Sequence, residues 1–218
     1  MAGGRGIRLG TITEFVSKPF VPVVDRPVFL YGVAQLRASP RLREIVVLTN
    51  ADNDAAFRRA GFSTVVQDDD VVHDMFSGWR YLKAKLDSDG PAVLVPCDNV
   101  SDIAVDRVVD AMLTQQADAA FSVTRVSDRR KLENMGVYDP ASGAVHYRPA
   151  QFVSDWGVIA PYAVRAGFEP EPATSDAEVF NAARVAVIYH EGYWFDIGDP
   201  ESLVSCTCSL AAILAANR

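Results

Sequence analysis

Cysteine is scarce in this 218-residue chain: Cys97, Cys206 and Cys208 are the only three. Three thiols so unevenly placed cannot build a disulfide framework. Cys206 and Cys208 stand too close for the usual zinc pairing, and no second pair completes a tetrahedral set. All three are read as reduced thiols. Histidine is equally rare, and His73, His146 and His190 show no metal-ligand spacing and no nucleophile pattern nearby. Positive charge is in deficit, with 21 Lys and Arg against 28 Asp and Glu, a formal net charge of −7 and no basic block. That argues against a nucleic-acid polymer as partner, since such affinity comes mainly from neutralised phosphates. A small phosphorylated ligand held by a few local cations stays open. No apolar run approaches the roughly 20 residues that span a bilayer, so no membrane partner is indicated. The first ten residues lack the apolar core of a signal peptide, which favours the cytoplasm. There is no internal repeat, low-complexity segment or linker that would split the chain.

What is present reads as one α/β domain. Glu44–Thr49, Phe62–Gln67, Ala92–Pro96 and Ala119–Val126 are β-branched, apolar runs expected to form buried strands. Between them, Phe29, Val33 and Leu36 recur at helical spacing, as do Met75, Trp79, Leu82 and Leu86, and Val105, Val108, Val109 and Met112. Such alternation predicts a Rossmann-like, mostly parallel sheet with helices on both faces. After Ser127 the pattern changes. Asp139-Pro140-Ala141-Ser142-Gly143 is a turn signal between Met135–Tyr138 and Ala144–Arg148, which predicts a small β-hairpin. A strand over Phe152–Ala160, a helix over Ser175–Arg184 capped by Thr174 or Ser175, a strand over Val185–Tyr189 and a terminal amphipathic helix over Asp199–Leu214 follow.

In open α/β sheets, ligands bind outside the carboxyl ends of the strands. The residues to weigh there are Gln67, Asp98 and Asn99, with the opening loop Met1–Gly10. In that loop Gly3, Gly4 and Gly6 let backbone amides approach an anion. Arg5 and Arg8 add fixed charge, and a guanidinium can grip two phosphate oxygens at once. Lys18 sits in a proline-stiffened stretch, Ser17-Lys18-Pro19-Phe20-Val21-Pro22, as a further phosphate ligand. Asp98 closes an apolar strand, where an α/β enzyme holds Mg²⁺ or where a turn cap is favoured. Asp196 lies among aromatic and apolar neighbours, a costly place for an unpaired carboxylate. The two could meet on one Mg²⁺ that also grips a triphosphate. Asp68-Asp69-Asp70 reads as a solvated loop, Met75 and Trp79 as core, and Asp52 and Asp54 as the cap and first turn of a short helix.

The order of these pieces carries a resemblance. Ala2-Gly3-Gly4-Arg5-Gly6-Ile7-Arg8-Leu9 resembles the L-A-G-G-x-G-T-R-L signature of the sugar-1-phosphate nucleotidylyltransferases. Lys18-Pro19-Phe20-Val21-Pro22-Val23, then Arg26-Pro27 and Tyr31, is similar to that family's K-P-x-x-P-V…K-P…Y. Val95-Pro96-Cys97-Asp98-Asn99 is similar to its G-D-N or G-D-S metal motif. Gly192–Glu201 resembles its closing G-x-W-x-D-I-G-T-P-E. The short length resembles the compact hexose- and heptose-1-phosphate types. The resemblance implies a nucleotide-diphospho-sugar transferase-like fold in a single nucleotidylyltransferase domain over residues 1–218. It implies transfer of a nucleoside monophosphate from a nucleoside triphosphate to a sugar 1-phosphate, giving NDP-sugar and pyrophosphate with Mg²⁺. The partners would be those small molecules, and a homo-oligomer is allowed. Arg8 and Lys18 would be catalytic, and Ala2, Gly3, Gly4, Gly6 and Gln67 would bind the nucleotide. Asp98 and Asp196 would hold Mg²⁺, with Gly136, Arg148 and Asp155 on the sugar phosphate.

The departures fall unevenly. Ile7 replaces Thr, Cys97 replaces Gly, and Ser17 replaces a proline. Where the family has F-x-E-K-P, this chain has His146-Tyr147-Arg148-Pro149, and Tyr147 cannot accept from two sugar hydroxyls as a glutamate does. Asp155-Trp156-Gly157 stands for N-x-G. Phosphate and metal chemistry look retained, with sugar and base recognition altered. The alternatives are a cytidylyltransferase acting on a non-sugar phosphate or phosphonate, and a catalytically silent regulatory homologue. The resemblance also places a short apolar strand, something like K-A-V-I-L, directly before the glycine loop, where the sequence begins at Met1; the expectation is either that the natural start lies several codons upstream and carries that strand, or that another segment or a partner chain fills its place. An upstream-extended form is expected to be more stable and more active.

Overall fold

The structure, a computed structural model, describes residues 1–4 and 6–216. Arg5, expected to add fixed charge to the opening loop, lies outside the described residues. In chain order the elements are α1 (Ile12–Phe15), β1 (Pro22–Val23), β2 (Arg26–Pro27), α2 (Phe29–Ala38), β3 (Val46–Thr49), α3 (Ala51–Arg59), β4 (Ser63–Val66), α4 (Met75–Leu86), β5 (Ala92–Leu94) and β6 (Asn99–Ser101). Then come α5 (Val105–Thr114), β7 (Ala119–Arg125), α6 (Arg129–Leu132), β8 (Gly136–Tyr138), β9 (Val145–Tyr147), β10 (Trp156–Val164), α7 (Asp176–Ala182), β11 (Val185–His190), β12 (Trp194–Asp196) and α8 (Pro200–Ala216). They divide into two compact units built from interleaved segments. The first holds Met1–Gln67, Pro96–Asp102 and Gly192–Arg218, and the second holds Asp68–Val95 and Ile103–Glu191.

The first unit has two cores. Phe20, Phe29, Phe57 and Phe62 pack ring against ring, with centroids 4.9–5.7 Å apart in the closer pairs, around Ala2, Val33 and Val47. These aromatics lie on α2, on α3 and in the loops beside them, so burying them fixes both helices against the β3–β4 pair. The second core joins Leu9, Val21, Val23, Val28, Val100, Ile197, Cys206 and Leu210. It ties the opening loop, the Lys18 segment, the β6–β12 ribbon and α8 into one block. Helix α8 opens on Pro200, whose missing N–H costs nothing at that position, and Asp199 Oδ1 caps it by accepting from the Ser202 amide at 2.7 Å.

Strands β3 and β4 pair in parallel, Val46 opposite Ser63 through Thr49 opposite Val66. The expectation that 62–67 is buried fails here. Only β3 pairs with β4 among the described strands, and its burial is partial, with Val66 37% exposed. A strand paired on one side keeps access to water. Ala2 bridges to Thr49 in parallel, its amide donating to the Leu48 carbonyl at 2.7 Å, and the Cys97 amide donates to the Met1 carbonyl at 2.9 Å. The cap of α3 is Asn50, which accepts from the Asn53 amide at 3.0 Å. Asp52 and Asp54 both lie in the first turn rather than one of them at the cap, because the backbone becomes helical at Ala51.

The second unit is built on a mixed sheet in the order β11-β7-β10-β8-β9, with β5 also paired to β10. The β7–β11 pair is parallel, and the pairs of β10 with β5, β7 and β8, like the β8–β9 hairpin, are antiparallel. Parallel pairing is thus confined to β3–β4 and β7–β11 among the described strands. Strand β10 spans Trp156–Val164 where the sequence pattern suggests 152–160. The strand begins only after Asp155, where the chain leaves the 149–154 loop, and from Gly157 onward every residue in it is buried. Phe76, Phe121, Tyr162 and Phe180 close the core of this unit through edge-to-face and tilted ring contacts. Ser175 caps α7 by accepting from Glu178, whose carboxylate in turn accepts from the Thr174 amide and hydroxyl.

Candidate active site

The described triphosphate and metal candidates of the sequence fall in the first unit. Gly6 adopts φ 67°, ψ 28°, and turns the chain into a short 3₁₀ stretch, Ile7–Leu9, closed by the Leu9 amide on the Gly6 carbonyl at 2.9 Å. The Thr13 hydroxyl donates to the same carbonyl at 3.2 Å. Leu9 points into the core and is 1% exposed, while Arg8 stays exposed. Alternation along one tight turn thereby anchors the loop and frees the guanidinium. Asn50 ties the other side, donating from Nδ2 to the Gly3 carbonyl at 3.2 Å.

Lys18 opens the 3₁₀ turn Lys18–Phe20, with Pro19 next in the chain fixing its backbone. It lies directly under the glycine loop: a Cβ at Gly6 would sit 2.8 Å from the Lys18 Cβ. Its residue exposure is 8%, and its Nζ donates to Asp98 Oδ2. Burial pulls the ammonium down, but the Asp98 carboxylate and its hydrogen bond, with Asp196 further off, outweigh it and hold Lys18 above the usual ammonium range. Lys18 is therefore a cation throughout the neutral range.

Asp98 and Asp196 come from opposite arms of the β6–β12 ribbon. The antiparallel register sets Asn99 across from Asp196 and Ser101 across from Trp194, and the Ile197 amide donates to the Asp98 carbonyl at 2.8 Å. The Asn99 carboxamide then donates to Asp98 Oδ1 and to Asp196 Oδ1, each at 3.1 Å. Those two oxygens consequently lie no further apart than twice that distance. The Arg8 guanidinium reaches the same place. A Cβ at Gly198 would stand 2.9 Å from an Arg8 nitrogen and 3.2 Å from an Asp196 oxygen. One lysine, one arginine and two carboxylates, the two cations from the first twenty residues and the acids from positions 98 and 196, are thus gathered where the glycine loop and the Lys18 turn meet the ribbon.

Gln67 follows β4, and its amide donates to the Thr49 carbonyl at 2.8 Å. Its side chain lies on Gly3 so closely that any Cβ there would collide with the carboxamide. Cys97 holds the place of the family glycine. Burial first, and Asp98 second, push its thiol up to about 12, so it is neutral and packs with the phenylalanine core. Asp68, Asp69 and Asp70 are exposed.

Gly136, Arg148 and Asp155 belong to the second unit. Gly136 opens β8 against Val158, and a Cβ there would be 3.4 Å from the Val158 Cβ. Arg148 is exposed, holds φ 47° and stacks 5.0 Å over the ring of Tyr147. Asp155 is ion-paired with Arg125, which also stacks 4.0 Å over Trp156. Beside Pro149 a cleft of about 190 Å³ opens, where Arg129 lies 4.6 Å over exposed Phe152.

Asn50 has no motif to mark it, Asn99 stands out only by its place beside Asp98 at a strand's carboxyl end, and Trp194 only as part of a motif. Their roles depend on the β6–β12 register and the return of α3 to the loop, which no local pattern encodes.

The family model of the MobA-like NTP transferase domain matches residues 1–191. The chain belongs to that family. By family, then, it is a nucleotidyltransferase. A bifunctional sugar-1-phosphate nucleotidylyltransferase/acetyltransferase of Sulfurisphaera tokodaii is 25% identical over 230 residues, an alignment spanning 94% of this chain and 53% of that protein. A glucose-1-phosphate thymidylyltransferase of Neisseria gonorrhoeae is 28% identical, spanning 93% of this chain and 78% of that one. The chain therefore spans about half the length of the first relative. Two solved structures share the fold. One is described as a glucose-1-phosphate thymidylyltransferase from Bacillus anthracis in complex with a sucrose, at TM-score 0.78 and 20% identity over 95% of this chain and 92% of that one. The other is an apo UDP-glucose pyrophosphorylase, at TM-score 0.77 and 14% identity over 97% and 96%. At those identities they establish the α/β, nucleotide-diphospho-sugar transferase fold of this NTP transferase. No helix among the described residues is long and apolar enough to cross a membrane.

Proposed function

We propose that this NTP transferase moves a nucleoside monophosphate from a nucleoside triphosphate to a sugar 1-phosphate, yielding an NDP-sugar and pyrophosphate. The observation that carries the reading is the cluster of Lys18, Asp98, Asp196 and Arg8 around the Gly3–Gly10 loop. The incoming sugar phosphate is already an anion, so the chain has little proton transfer to perform. Positioning and charge neutralisation are what it must supply. Arg8, exposed beside Gly198, takes charge that develops on the triphosphate. Lys18, buried against Asp98 and cationic in the neutral range, bridges the α-phosphate and the attacking phosphate. Ala2, Gly3, Gly4 and Gly6 present backbone to the phosphates, and Gln67, with a donor and an acceptor on one amide, reads a base edge.

The donor set suits a hard cation. Two carboxylates whose oxygens converge on one carboxamide, next to a phosphate-binding loop, match the one or two carboxylates plus substrate phosphates by which Mg²⁺ is commonly held. Asp98 and Asp196 would hold it, and when bound it would orient the phosphates and neutralise their charge. Gly136, Arg148 and Asp155 serve the acceptor side. The interleaved segments of the two units argue for treating 1–218 as one nucleotidylyltransferase domain. The described cysteines are free, in keeping with a cytoplasmic enzyme.

The test is a panel of nucleoside triphosphates crossed with sugar 1-phosphates, read as pyrophosphate release with Mg²⁺. Release with at least one pair, lost in Lys18→Ala and Asp98→Ala, supports the proposal. Release only with a non-sugar phosphate or phosphonate replaces the acceptor class. No release with any pair, from a folded protein that still binds a triphosphate, leaves a regulatory homologue instead.

A further inference from the structure

We propose that Asn99 is a positioning residue that sets the spacing of Asp98 and Asp196 and thereby the affinity of this chain for its divalent ion. The inference rests on the reading of those two carboxylates as the ion's ligands. The carboxamide nitrogen carries two protons and lies 3.1 Å from one oxygen of each carboxylate, donating to both. The carboxamide oxygen accepts from the Trp194 indole at 2.9 Å. An indole N–H can only donate, so this contact fixes which end of the amide faces which way. The oxygen must face Trp194, and the two protons must face the acids. Strand geometry enforces the arrangement. Asn99 is opposite Asp196 in the ribbon, and Trp194, two residues before Asp196, shares its face.

Two carboxylates brought together at the end of the ribbon repel, and a neutral group that donates once to each offsets that repulsion without adding charge. Lys18 occupies the other oxygen of Asp98, so Asp98 is held from both sides while Asp196 is held toward the same centre. A serine at position 99 has one proton and can serve only one acid. Alanine serves neither. Phenylalanine at 194 keeps an aromatic ring and removes the lock on the amide. Groups that orient metal ligands in this way are worth about 10–100-fold in metal affinity.

The experiment titrates Mn²⁺ into the full chain and counts free Mn²⁺ by electron paramagnetic resonance, with a thermal melt on each variant to confirm folding. Asn99→Ala is expected to bind Mn²⁺ about 10–100-fold more weakly, with Asn99→Ser and Trp194→Phe between it and the parent. The Mg²⁺ concentration for half-maximal pyrophosphate release should rise in step, with kcat at saturating Mg²⁺ changed by less than about threefold. If Asn99→Ala fails to fold, Asn99→Ser and Trp194→Phe decide. Parental Mn²⁺ affinity in the folded variants overturns the role of Asn99 and leaves the proposed reaction standing. So does a loss of kcat that saturating Mg²⁺ does not restore. A parent chain that takes up no Mn²⁺, even with a triphosphate present, overturns the ligand assignment itself and this inference with it.

Discussion

Replacing Gly6 by alanine tests how the glycine loop and Lys18 are coupled. Gly6 sits at φ 67°, ψ 28°, a left-handed conformation that costs an L-residue about 1–2 kcal/mol. The new Cβ would stand 2.8 Å from the Lys18 Cβ and 3.0 Å from the Thr13 Cγ2. A β-carbon cannot swing aside as a side-chain tip can, so this overpacking adds about 1–3 kcal/mol. The stiffer unfolded chain of the variant returns about 0.4–1 kcal/mol. The net loss expected in urea unfolding is about 1–4.5 kcal/mol, centred on about 3, seen as a lower midpoint at unchanged slope. Because the yielding atom belongs to Lys18, activity should fall further than stability alone explains, by about 100-fold in kcat if Lys18 is displaced by about 1 Å. Thr13→Ser removes one of the two close contacts, and the double variant should regain about 0.5–1 kcal/mol without regaining turnover. A midpoint within error of the parent would refute the geometry. A clear stability loss with pyrophosphate release intact would refute the role given to Lys18.

Other perturbations probe separate parts of the molecule. Asp176 lies at the first position of α7, accepting from the Phe76 amide at 3.2 Å. Burial first, then Asp74, push its carboxyl up to about 7 against the backbone donors of Phe76 and Met75. An acid raised in the folded state takes stability away as pH climbs from its unfolded value near 4 to its folded value near 7. Asp176→Asn should therefore gain little at pH 4 and about 2 kcal/mol at pH 8, less than the full about 1.4 kcal/mol per unit because the site is partly open to solvent. Equal gains at both pH values in thermal melts would exclude this origin. Phe57→Ala, at a side chain with 0% exposure that touches Phe20, Phe29 and Phe62, should cost about 3–5 kcal/mol in urea unfolding. Asn50→Ala removes the α3 cap and the bond to the Gly3 carbonyl. It should cost about 1–2 kcal/mol, and a raised KM for the triphosphate would show that the same side chain steadies the loop.

The sequence by itself determined the class of fold and named the candidates for the site. Helical spacing at Met75, Trp79, Leu82 and Leu86 is a local property, and α4 formed where that spacing lies. The same holds for the β8–β9 hairpin around its Asp-Pro turn and for the capping of α7 by Ser175. The Asp and Lys residues of the candidate site could be named because each sits in a short motif whose chemistry is local. Pairing partners are not local. Nothing in Trp156–Val164 states that this strand runs antiparallel to three others, so the sheet emerged mixed. Nothing in Phe62–Gln67 states that β4 keeps an open side. The tertiary structure alone decided that Asn99 stands across from Asp196, that Trp194 locks its amide, and that Gly6 rests on Lys18. The two Asn99 contacts join residues far apart in the chain, and even the Gly6–Lys18 contact must close a loop; that entropy is offset only when the core around Val100, Ile197 and Leu9 forms.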